Sequence, residues 1–392
     1  MTLFFALVQR WITRACIVAV SGLAAWGTAV AQQPFSTKAP HAVIMDEATG
    51  NILYAKDADI PIPPASMSKL MTVAVVLDLI EKGELTLDTP FMVSEKAWRT
   101  GGSKMFVLVD TEISVEDLLR GAMAVSGNDA TIVLAENIAG SEAEFANLMN
   151  ERAKAWGLKS SHFVNPTGEA GEGQVMSTLD LARLARLIWR RYPDYHYLFS
   201  INEFTWSKIT QRNRNPLLAT FAGADGMKTG YTDEAGYGLV GTAERDGARR
   251  FIVLAGMESE QERAREADRM MGLAFTEFAK RTFFNPGDLV GEAEVFGGRA
   301  PAVPLRIDVP ITFTLHKRIL DGAEAKIVYE GPLTAPLRAN ERVAVLQLSM
   351  PDHQTREYPL YTAEPVRGLS AMAKIKLGLE ILFTPPSEID QL

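Results

Sequence analysis

The stretch PASMSKLMTVAVVLDLI, residues 64–80, decides the fold of this chain. Beyond its proline, apolar residues recur every three or four positions, which predicts a helix with a buried face from Ala65 until Gly83 ends it. Ser66 and Lys69 lie three residues apart, so a helix places both side chains on one face. An amine with a depressed pKa can take a hydroxyl proton, so such a pair can supply a nucleophile and its base. Roughly one or two Ser-x-x-Lys matches arise by chance at this length, so the pair needs support from elsewhere in the chain.

Two further short motifs supply that support. Ser126-Gly127-Asn128 lies between two predicted helices, and Lys228-Thr229-Gly230 lies on a predicted strand. Each motif alone is most often a turn or a strand end. All three in this order are improbable, on the order of one in several hundred at average composition. Because 60 residues (126 − 66) and 102 residues (228 − 126) separate them, only folding can bring them together.

These residue types favour acyl transfer. Ser66 would attack a carbonyl carbon, and Lys69, kept neutral by burial and by a nearby cation, would accept the hydroxyl proton. Ser126 would relay a proton to the leaving amine. The backbone N–H of Ser66, at a helix start, and that of Tyr231 would stabilise the oxyanion of the intermediate.

The remaining motif residues are candidates for binding the substrate. The Asn128 side chain would hold Lys69 and a substrate amide. Lys228 and Thr229 would bind a substrate carboxylate. Gly230, which lacks a side chain, would let the substrate backbone lie against the strand.

The order of the predicted elements indicates an α+β domain. A hairpin at residues 42–55 comes first. Helices follow, and signals of the type Ser-x-x-Asp or Ser-x-x-Glu mark the starts of three of them, at Ser114, Ser141 and Ser177. Antiparallel strands between 226 and 257 come next, and a last helix is predicted at Glu260–Thr282. A sheet built from both ends of a domain, with helices inserted between them, is an α+β arrangement.

After a linker at residues 285–288 the periodicity is that of short strands, which predicts a separate small all-β domain. The predicted division of the chain has four parts: a signal peptide at 1–31, a catalytic domain at 32–284, a β-rich domain at 285–366 and a C-terminal tail at 367–392.

The first 31 residues have the features of a secretory signal peptide. Arg10 and Arg14 precede an apolar run at residues 15–20, and residues 29–31 (Ala-Val-Ala) supply a cleavage site. An uncleaved membrane anchor is the alternative, which the shortness of the run disfavours. The only cysteine, Cys16, lies in this segment, so the mature protein would be exported without disulfides.

The composition argues against a nucleic-acid partner and a metal site. The chain of 392 residues is 47% hydrophobic and 22% charged, which is ordinary for a globular protein. Its net charge is −8 and it has no basic block, so a nucleic-acid partner is not predicted. The five histidines are scattered without metal-ligand spacing. Neither a metal nor a cofactor is predicted.

The chain resembles the serine-type D-Ala-D-Ala carboxypeptidases, which are low-molecular-weight penicillin-binding proteins. The similarity is strong over about residues 40–284 and extends beyond the three motifs. The matching stretches are PASMSKLMT (64–72), GGSKMF (101–106), DLLRG (117–121), FVNPTG (163–168) and DGMKTG (225–230).

The resemblance implies a β-lactamase/transpeptidase-like catalytic domain followed by a small β domain, and it implies an activity. The enzyme would remove the terminal D-alanine from peptidoglycan pentapeptide stems through an acyl-enzyme on Ser66, and β-lactams would acylate the same serine. It would work in the periplasm.

Three alternatives remain open. A class A β-lactamase shares the catalytic fold, but its deacylation needs a positioned Glu followed by an Asn; Glu169 and Glu172 lie in a suitable loop without that pattern, and lactamases lack a β domain. A D,D-endopeptidase would use the same chemistry. A catalytically silent wall-binding protein is disfavoured because it would need neither Lys69 nor Lys228.

The tail departs from the family pattern. The family normally ends in an amphipathic helix in the membrane interface, which implies peripheral attachment to the inner membrane. Here the polar residues scatter on a helical wheel, and Lys374 to Ile381 alternate between polar and apolar, which predicts a strand. Exposed apolar residues after a complete domain still favour a membrane contact.

Overall fold

The structure, a computed structural model, describes residues 35–351, 353 and 355–383. The predicted signal peptide and the last residues of the predicted tail lie outside them. The α-helices, in chain order, are α1 (Lys69–Glu81), α2 (Glu95–Arg99), α3 (Val115–Ala124), α4 (Asn128–Ala139), α5 (Glu142–Ala155), α6 (Thr178–Arg191), α7 (Leu217–Thr220), α8 (Glu260–Thr276), α9 (Lys317–Asp321) and α10 (Ala371–Phe383).

The strands alternate with these helices and then dominate the second half of the chain. In chain order they are β1 (His41–Asp46), β2 (Ile52–Lys56), β3 (Pro90–Met92), β4 (Glu112–Ser114), β5 (Glu203–Trp206), β6 (Ile209–Arg212), β7 (Ala224–Thr232), β8 (Gly236–Arg245), β9 (Ala248–Met257), β10 (Phe278–Phe284), β11 (Leu289–Phe296), β12 (Ala302–Ile307), β13 (Ile311–His316), β14 (Glu324–Val328), β15 (Leu333–Thr334), β16 (Arg342–Ser349) and β17 (Arg356–Thr362). Two 3-10 helices span Ala65–Ser68 and Pro193–Phe199.

A five-stranded antiparallel sheet forms the centre of the first domain, in the order β2-β1-β9-β8-β7. The hairpin from the start of the chain thus pairs with β9 from its later part, which confirms the predicted α+β arrangement. Successive residues of β9 point to opposite faces. Phe251 and Val253 pack in the larger core, beneath α1 and α3–α6, while Ile252 and Leu254 pack with α8.

Serine caps fix where the helices begin. The predicted caps are present at α3, α5 and α6, where each hydroxyl accepts the backbone N–H three residues on at 3.1 Å: Ser114 from Asp117, Ser141 from Glu144 and Ser177 from Asp180. Such a cap stabilises a helix by about 1 kcal/mol. The buried helix α1 therefore packs among neighbours with defined starts.

The β-rich part is built on a six-stranded sheet, in the order β14-β16-β17-β12-β11-β15, with a separate pair β10-β13. This confirms the predicted small all-β domain. The predicted helix to Thr282 is wrong, because α8 ends at Thr276 and Phe278–Phe284 is the strand β10. Phe278 pairs with His316 of β13. The strand β10 therefore joins the β-rich part, although the sequence predicted that this part begins at residue 285.

The tail also differs from its prediction. Residues Ala371–Phe383 form the helix α10, and the backbone N–H of Lys374 donates to Ser370 O at 2.9 Å at its start. The alternating pattern misled because Ala, Met, Lys and Leu are strong helix formers, and a helix satisfies its own backbone groups where a strand needs a partner. Across the described part of the chain, no helix has both the length and the apolar character needed to cross a membrane.

Candidate active site

The serine of the first motif lies in a strained turn. Ser66 is part of the 3-10 turn Ala65–Ser68, which runs directly into α1, so the first turn is tighter than the predicted α-helix. Ala65, immediately before it, has φ of +48°, in the left-handed region. Such a conformation in a non-glycine residue costs about 1–3 kcal/mol and is typical of functional sites. Ser66 itself is only half-buried, so a substrate can reach its hydroxyl.

Two glycines of the central sheet form the floor beneath this turn. Gly230 of β7 and Gly238 of β8 are direct cross-strand partners. A Cβ on Gly230 would lie 3.0 Å from Pro64 O and 3.1 Å from the Ala65 Cβ, and one on Gly238 would lie 2.5 Å from the Met67 Cε. A glycine at 230 therefore suits the close packing against the Ser66 turn, a reason that differs from the predicted contact with substrate backbone.

Lys69 has three hydrogen-bond partners around its amine. Its Nζ lies 3.0 Å from Ser66 Oγ, 2.7 Å from Asn128 Oδ1 and 2.5 Å from Thr167 O. The side chain is fully buried. The structure thus brings together Ser66, Lys69 and Asn128 from two motifs that the sequence separates, and it adds the carbonyl of Thr167, which the sequence did not indicate.

The pKa of Lys69 matches the role of a base. Burial lowers the pKa of the Lys69 ammonium to about 7, the carboxylates of Glu169 and Asp129 oppose this shift, and the guanidinium of Arg214 adds to it. A substantial fraction of the amine is therefore neutral near pH 7 and able to take the Ser66 proton.

The second motif forms the bend between α3 and α4. Ser126 is nearly buried and has φ of +63°. This conformation turns the chain so that Asn128 begins α4 with its side chain at Lys69. The role of Ser126 as a proton relay stays a prediction.

Asp129, directly after the motif, anchors the neighbouring loop. Its buried carboxylate accepts the backbone N–H groups of three successive loop residues, Met105 (2.9 Å), Phe106 (2.8 Å) and Val107 (3.2 Å). A carboxylate in the first turn of a helix also suits the helix dipole. Asp129 is not among the predicted site residues, although an acidic residue in the first turn of a helix is a signal in the sequence.

The third motif lies on a strand, as predicted, and this strand is β7, at one edge of the sheet. Lys228 and Thr229 are nearly buried, and Lys228 Nζ donates to Thr229 O at 2.9 Å. Burial is the main cause that holds the pKa of Lys228 well below its usual range, and the positive charge of Lys69 adds to it. Tyr231 is 47% exposed, and its ring lies against that of Tyr237, with the centroids 4.2 Å apart and the planes tilted by 32°.

A turn after the second motif completes the surroundings of Lys69. Asn128 Nδ2 donates to Glu169 Oε1 at 2.8 Å and to Gly101 O at 3.2 Å. In the sequence, Glu169 lies in a loop that suits a lactamase-type glutamate but is not followed by an Asn. Its contact with Asn128 depends on how the loop folds.

Known proteins share this arrangement of domains. The family described as D-alanyl-D-alanine carboxypeptidase matches residues 28–259, and the domain described as penicillin-binding protein 5, C-terminal domain, matches residues 278–367. The D-alanyl-D-alanine carboxypeptidase DacD of Escherichia coli K12 is 36% identical over 355 residues, which are 88% of this chain and 91% of the relative.

Solved structures agree with the sequence relatives. The D-alanyl-D-alanine carboxypeptidase DacD from Francisella tularensis superposes with a TM-score of 0.74 at 30% identity, covering 86% of this chain and 95% of that one. Penicillin-binding protein D2 from Listeria monocytogenes, in its ampicillin-bound form, gives a TM-score of 0.56 at 31% identity, covering 61% of this chain and 98% of that one. Because the family match spans more than half of the chain and a relative above 30% identity spans most of it, the chain belongs to the D-alanyl-D-alanine carboxypeptidase family.

Proposed function

We propose that this serine-type D-Ala-D-Ala carboxypeptidase removes the terminal D-alanine of peptidoglycan pentapeptide stems through an acyl-enzyme on Ser66. The observation that carries the assignment is the buried Lys69 amine, 3.0 Å from Ser66 Oγ, with its pKa lowered to about 7. A serine hydroxyl is a weak nucleophile without such a base.

The reaction divides into two steps. In the first, Ser66 Oγ attacks the carbonyl carbon of the penultimate D-alanine and its proton passes to Lys69. The C–N bond to the terminal D-alanine then breaks, and Ser126 relays a proton to the departing amine. In the second step, water attacks the ester, the shortened stem leaves with a new carboxylate, and Ser66 regains its proton.

Binding of the substrate uses the other motif residues. The terminal carboxylate binds at Lys228 and Thr229, because an arriving anion raises the lowered pKa of Lys228 and restores its charge. Asn128 binds an amide of the stem, and Gly230 lets the substrate lie along the edge strand. The N–H groups of Ser66 and Tyr231 stabilise the oxyanion.

Penicillins acylate the same serine, in keeping with the similarity to a protein solved in its ampicillin-bound form. The test is to incubate the protein with a penicillin and, separately, with a peptide ending in D-Ala-D-Ala. We expect an adduct on the Ser66 peptide and released D-alanine, both absent in Ser66→Ala. Ser68→Ala is the matched control, since the Ser68 hydroxyl is buried in the same turn, without a hydrogen-bond partner among the described residues.

Other outcomes would assign other functions. Rapid turnover of penicillin would favour a β-lactamase. Cleavage of cross-linked peptides in preference to pentapeptides would favour a D,D-endopeptidase. The absence of any adduct would favour a silent wall-binding protein.

We also infer that the enzyme is exported and works in the periplasm, attached peripherally to the inner membrane by its tail. The support comes from α10, where Met372, Ile375 and Leu379 are exposed at 76%, 60% and 52% and recur at the spacing of one helix face. An exposed apolar helix face of this kind suits the membrane interface.

Two measurements test the location. The N-terminal sequence of the protein isolated from cell envelopes should begin near Gln32, and an intact Met1 would indicate an uncleaved anchor instead. A chain that ends at Val366 should move to the soluble fraction. Unchanged membrane association would contradict attachment through the tail.

A further inference from the structure

The side-chain amide of Asn128 bridges two elements. Its Oδ1 accepts from Lys69 Nζ at 2.7 Å, and its Nδ2 donates to Glu169 Oε1 at 2.8 Å and Gly101 O at 3.2 Å. The side chain is nearly buried. Because two acceptors face the nitrogen and a donor faces the oxygen, only this orientation of the amide satisfies all the groups around it.

This orientation matters to the base. A neutral Lys69 amine has two N–H donors and one lone pair. The two fixed acceptors, Asn128 Oδ1 and Thr167 O, take the two donors, so the lone pair is left for the hydroxyl proton of Ser66. If the Asn128 amide were reversed, its N–H would compete with the Ser66 hydroxyl for that lone pair.

The turn that carries Glu169 is held in place by its own hydrogen bonds. The Glu169 N–H donates to Thr167 Oγ1 at 3.1 Å, and the Asn165 side chain donates to Glu169 O at 3.0 Å. Room for the carboxylate comes from Gly102, where a Cβ would lie 2.6 Å from Asn128 Nδ2 and 3.2 Å from Glu169 Oε1. The turn thus presents Thr167 O to Lys69 and the Glu169 carboxylate to Asn128.

We propose that Glu169 is a positioning residue of the active site: its carboxylate fixes the Asn128 amide so that the Lys69 lone pair faces Ser66. The proposal rests on the proposed roles of Ser66 and Lys69 and goes beyond them, since Glu169 belongs to none of the three motifs.

The charges around Lys69 predict the direction in which its pKa changes when Glu169 is replaced. Burial and Arg214 lower the pKa of Lys69, whereas Glu169 and Asp129 raise it. Lys228 is close enough for the charge of Lys69 to lower the pKa of Lys228. Removing the charge of Glu169 should therefore lower the pKa of Lys69, and the neutral base should persist to lower pH.

The experiment compares acylation of the full-length protein by a penicillin, as a function of pH, in Glu169→Ala and Glu169→Gln. Glutamine keeps an oxygen that can accept from Asn128 but carries no charge, whereas alanine removes both. Glu172→Gln is the matched control, an exposed glutamate of the same loop that is not among the groups shifting the pKa of Lys69.

We expect the acidic limb of the profile to move to lower pH in both Glu169 variants and to stay in place in Glu172→Gln. The plateau rate should fall about tenfold in Glu169→Ala, since a hydrogen bond to a charged group is worth about one such factor. It should change little in Glu169→Gln. A structural role alone would lower the rate and the melting temperature without moving the limb.

Two results would overturn the proposal: wild-type profiles for both Glu169 variants, or a lowered rate in Glu169→Gln with an unmoved limb. Failure of the proposed function is a separate outcome, visible as a wild-type protein that forms no adduct on Ser66. That result would remove both proposals.

Discussion

Two lysines are buried at the active site, Lys69 on the helix α1 and Lys228 on the strand β7, and their surroundings differ. Lys69, on the helix side, has three hydrogen-bond partners and two carboxylates whose charges raise its pKa. Lys228, on the strand side, donates to a single carbonyl among the described residues, and the other charges that shift its pKa are cations. The surroundings of Lys69 therefore suit a base, whereas those of Lys228 suit a residue that binds an anion.

The difference indicates which partner each lysine still needs. Around Lys69 the protein supplies every acceptor that a neutral amine can use, so its remaining lone pair is directed at Ser66. Around Lys228 the nearby charges are those of Lys69, Arg214 and Arg263, all positive. Such a site becomes favourable when an anion arrives, which fits a substrate that ends in a carboxylate.

Replacing the base should have the largest effect. In Lys69→Met a side chain of similar length fills the buried site without an amine, so acylation of Ser66 by penicillin should slow by about 10³-fold, within the usual contribution of a general base. The rate of adduct formation, followed by mass spectrometry, measures this. Lys159→Met, at an exposed position, is the control and should keep the wild-type rate. A rate close to wild type in Lys69→Met would show that another group takes the proton.

Replacing the second lysine should instead affect carboxylate recognition. In Lys228→Met, kcat/KM for a peptide ending in free D-Ala-D-Ala should fall about 10- to 100-fold, the worth of a charge-assisted hydrogen bond. The same peptide with an amidated C-terminus should lose much less. If both peptides lost the same factor, Lys228 would act on the chemistry and not on the carboxylate, and the contrast with Lys69 would fail.

The pH dependence of acylation separates the two lysines without mutation. Lys69 must be neutral to act, and its pKa is about 7. Below that pH the neutral fraction, and with it the acylation rate, should fall about tenfold per pH unit, whereas above it the rate should level off. Stopped-flow acylation by a chromogenic cephalosporin between pH 5 and 9 measures the profile. A rate that stayed constant down to pH 5 would contradict Lys69 as the base.

Local patterns made most of the catalytic fold predictable. The helix α1 follows from periodicity within residues 64–80, and the antiparallel strands predicted between 226 and 257 are present as β7 to β9, each with a continuously buried central run. The end of α8 at Thr276 did not follow, because Phe278 becomes a strand residue by pairing with His316, far along the chain. The strand predicted in the tail is wrong for the opposite reason. Its polar and apolar residues alternate, but no strand among the described residues pairs with them, and the segment forms the helix α10.

The active-site residues likewise fall into two groups, those that the sequence indicates and those that only folding brings to the site. Ser66, Lys69 and Lys228 are predicted from residue type and order, because the chemistry proposed for them depends on side chains. Thr167 contributes its backbone carbonyl, which any residue could supply, so no side-chain pattern indicates it. Glu169 reaches Asn128 only through the conformation of its loop. Such contacts become visible only in the folded chain.

The smallest expected effect concerns the contact between the strand β7 and the turn that carries Ser66. Gly230, on the strand of Lys228, touches the turn that carries Ser66, and an added Cβ would meet Pro64 O at 3.0 Å. In Gly230→Ala the turn must shift by a few tenths of an ångström, so we expect a loss of stability of about 1 kcal/mol and acylation a few-fold slower. Gly272→Ala is the control, since a Cβ there meets nothing within 4 Å and the helix should gain about 0.5–1 kcal/mol. Melting curves and acylation rates that matched wild type in Gly230→Ala would show that the turn does not depend on the glycine floor, and that the two lysine sites are positioned independently.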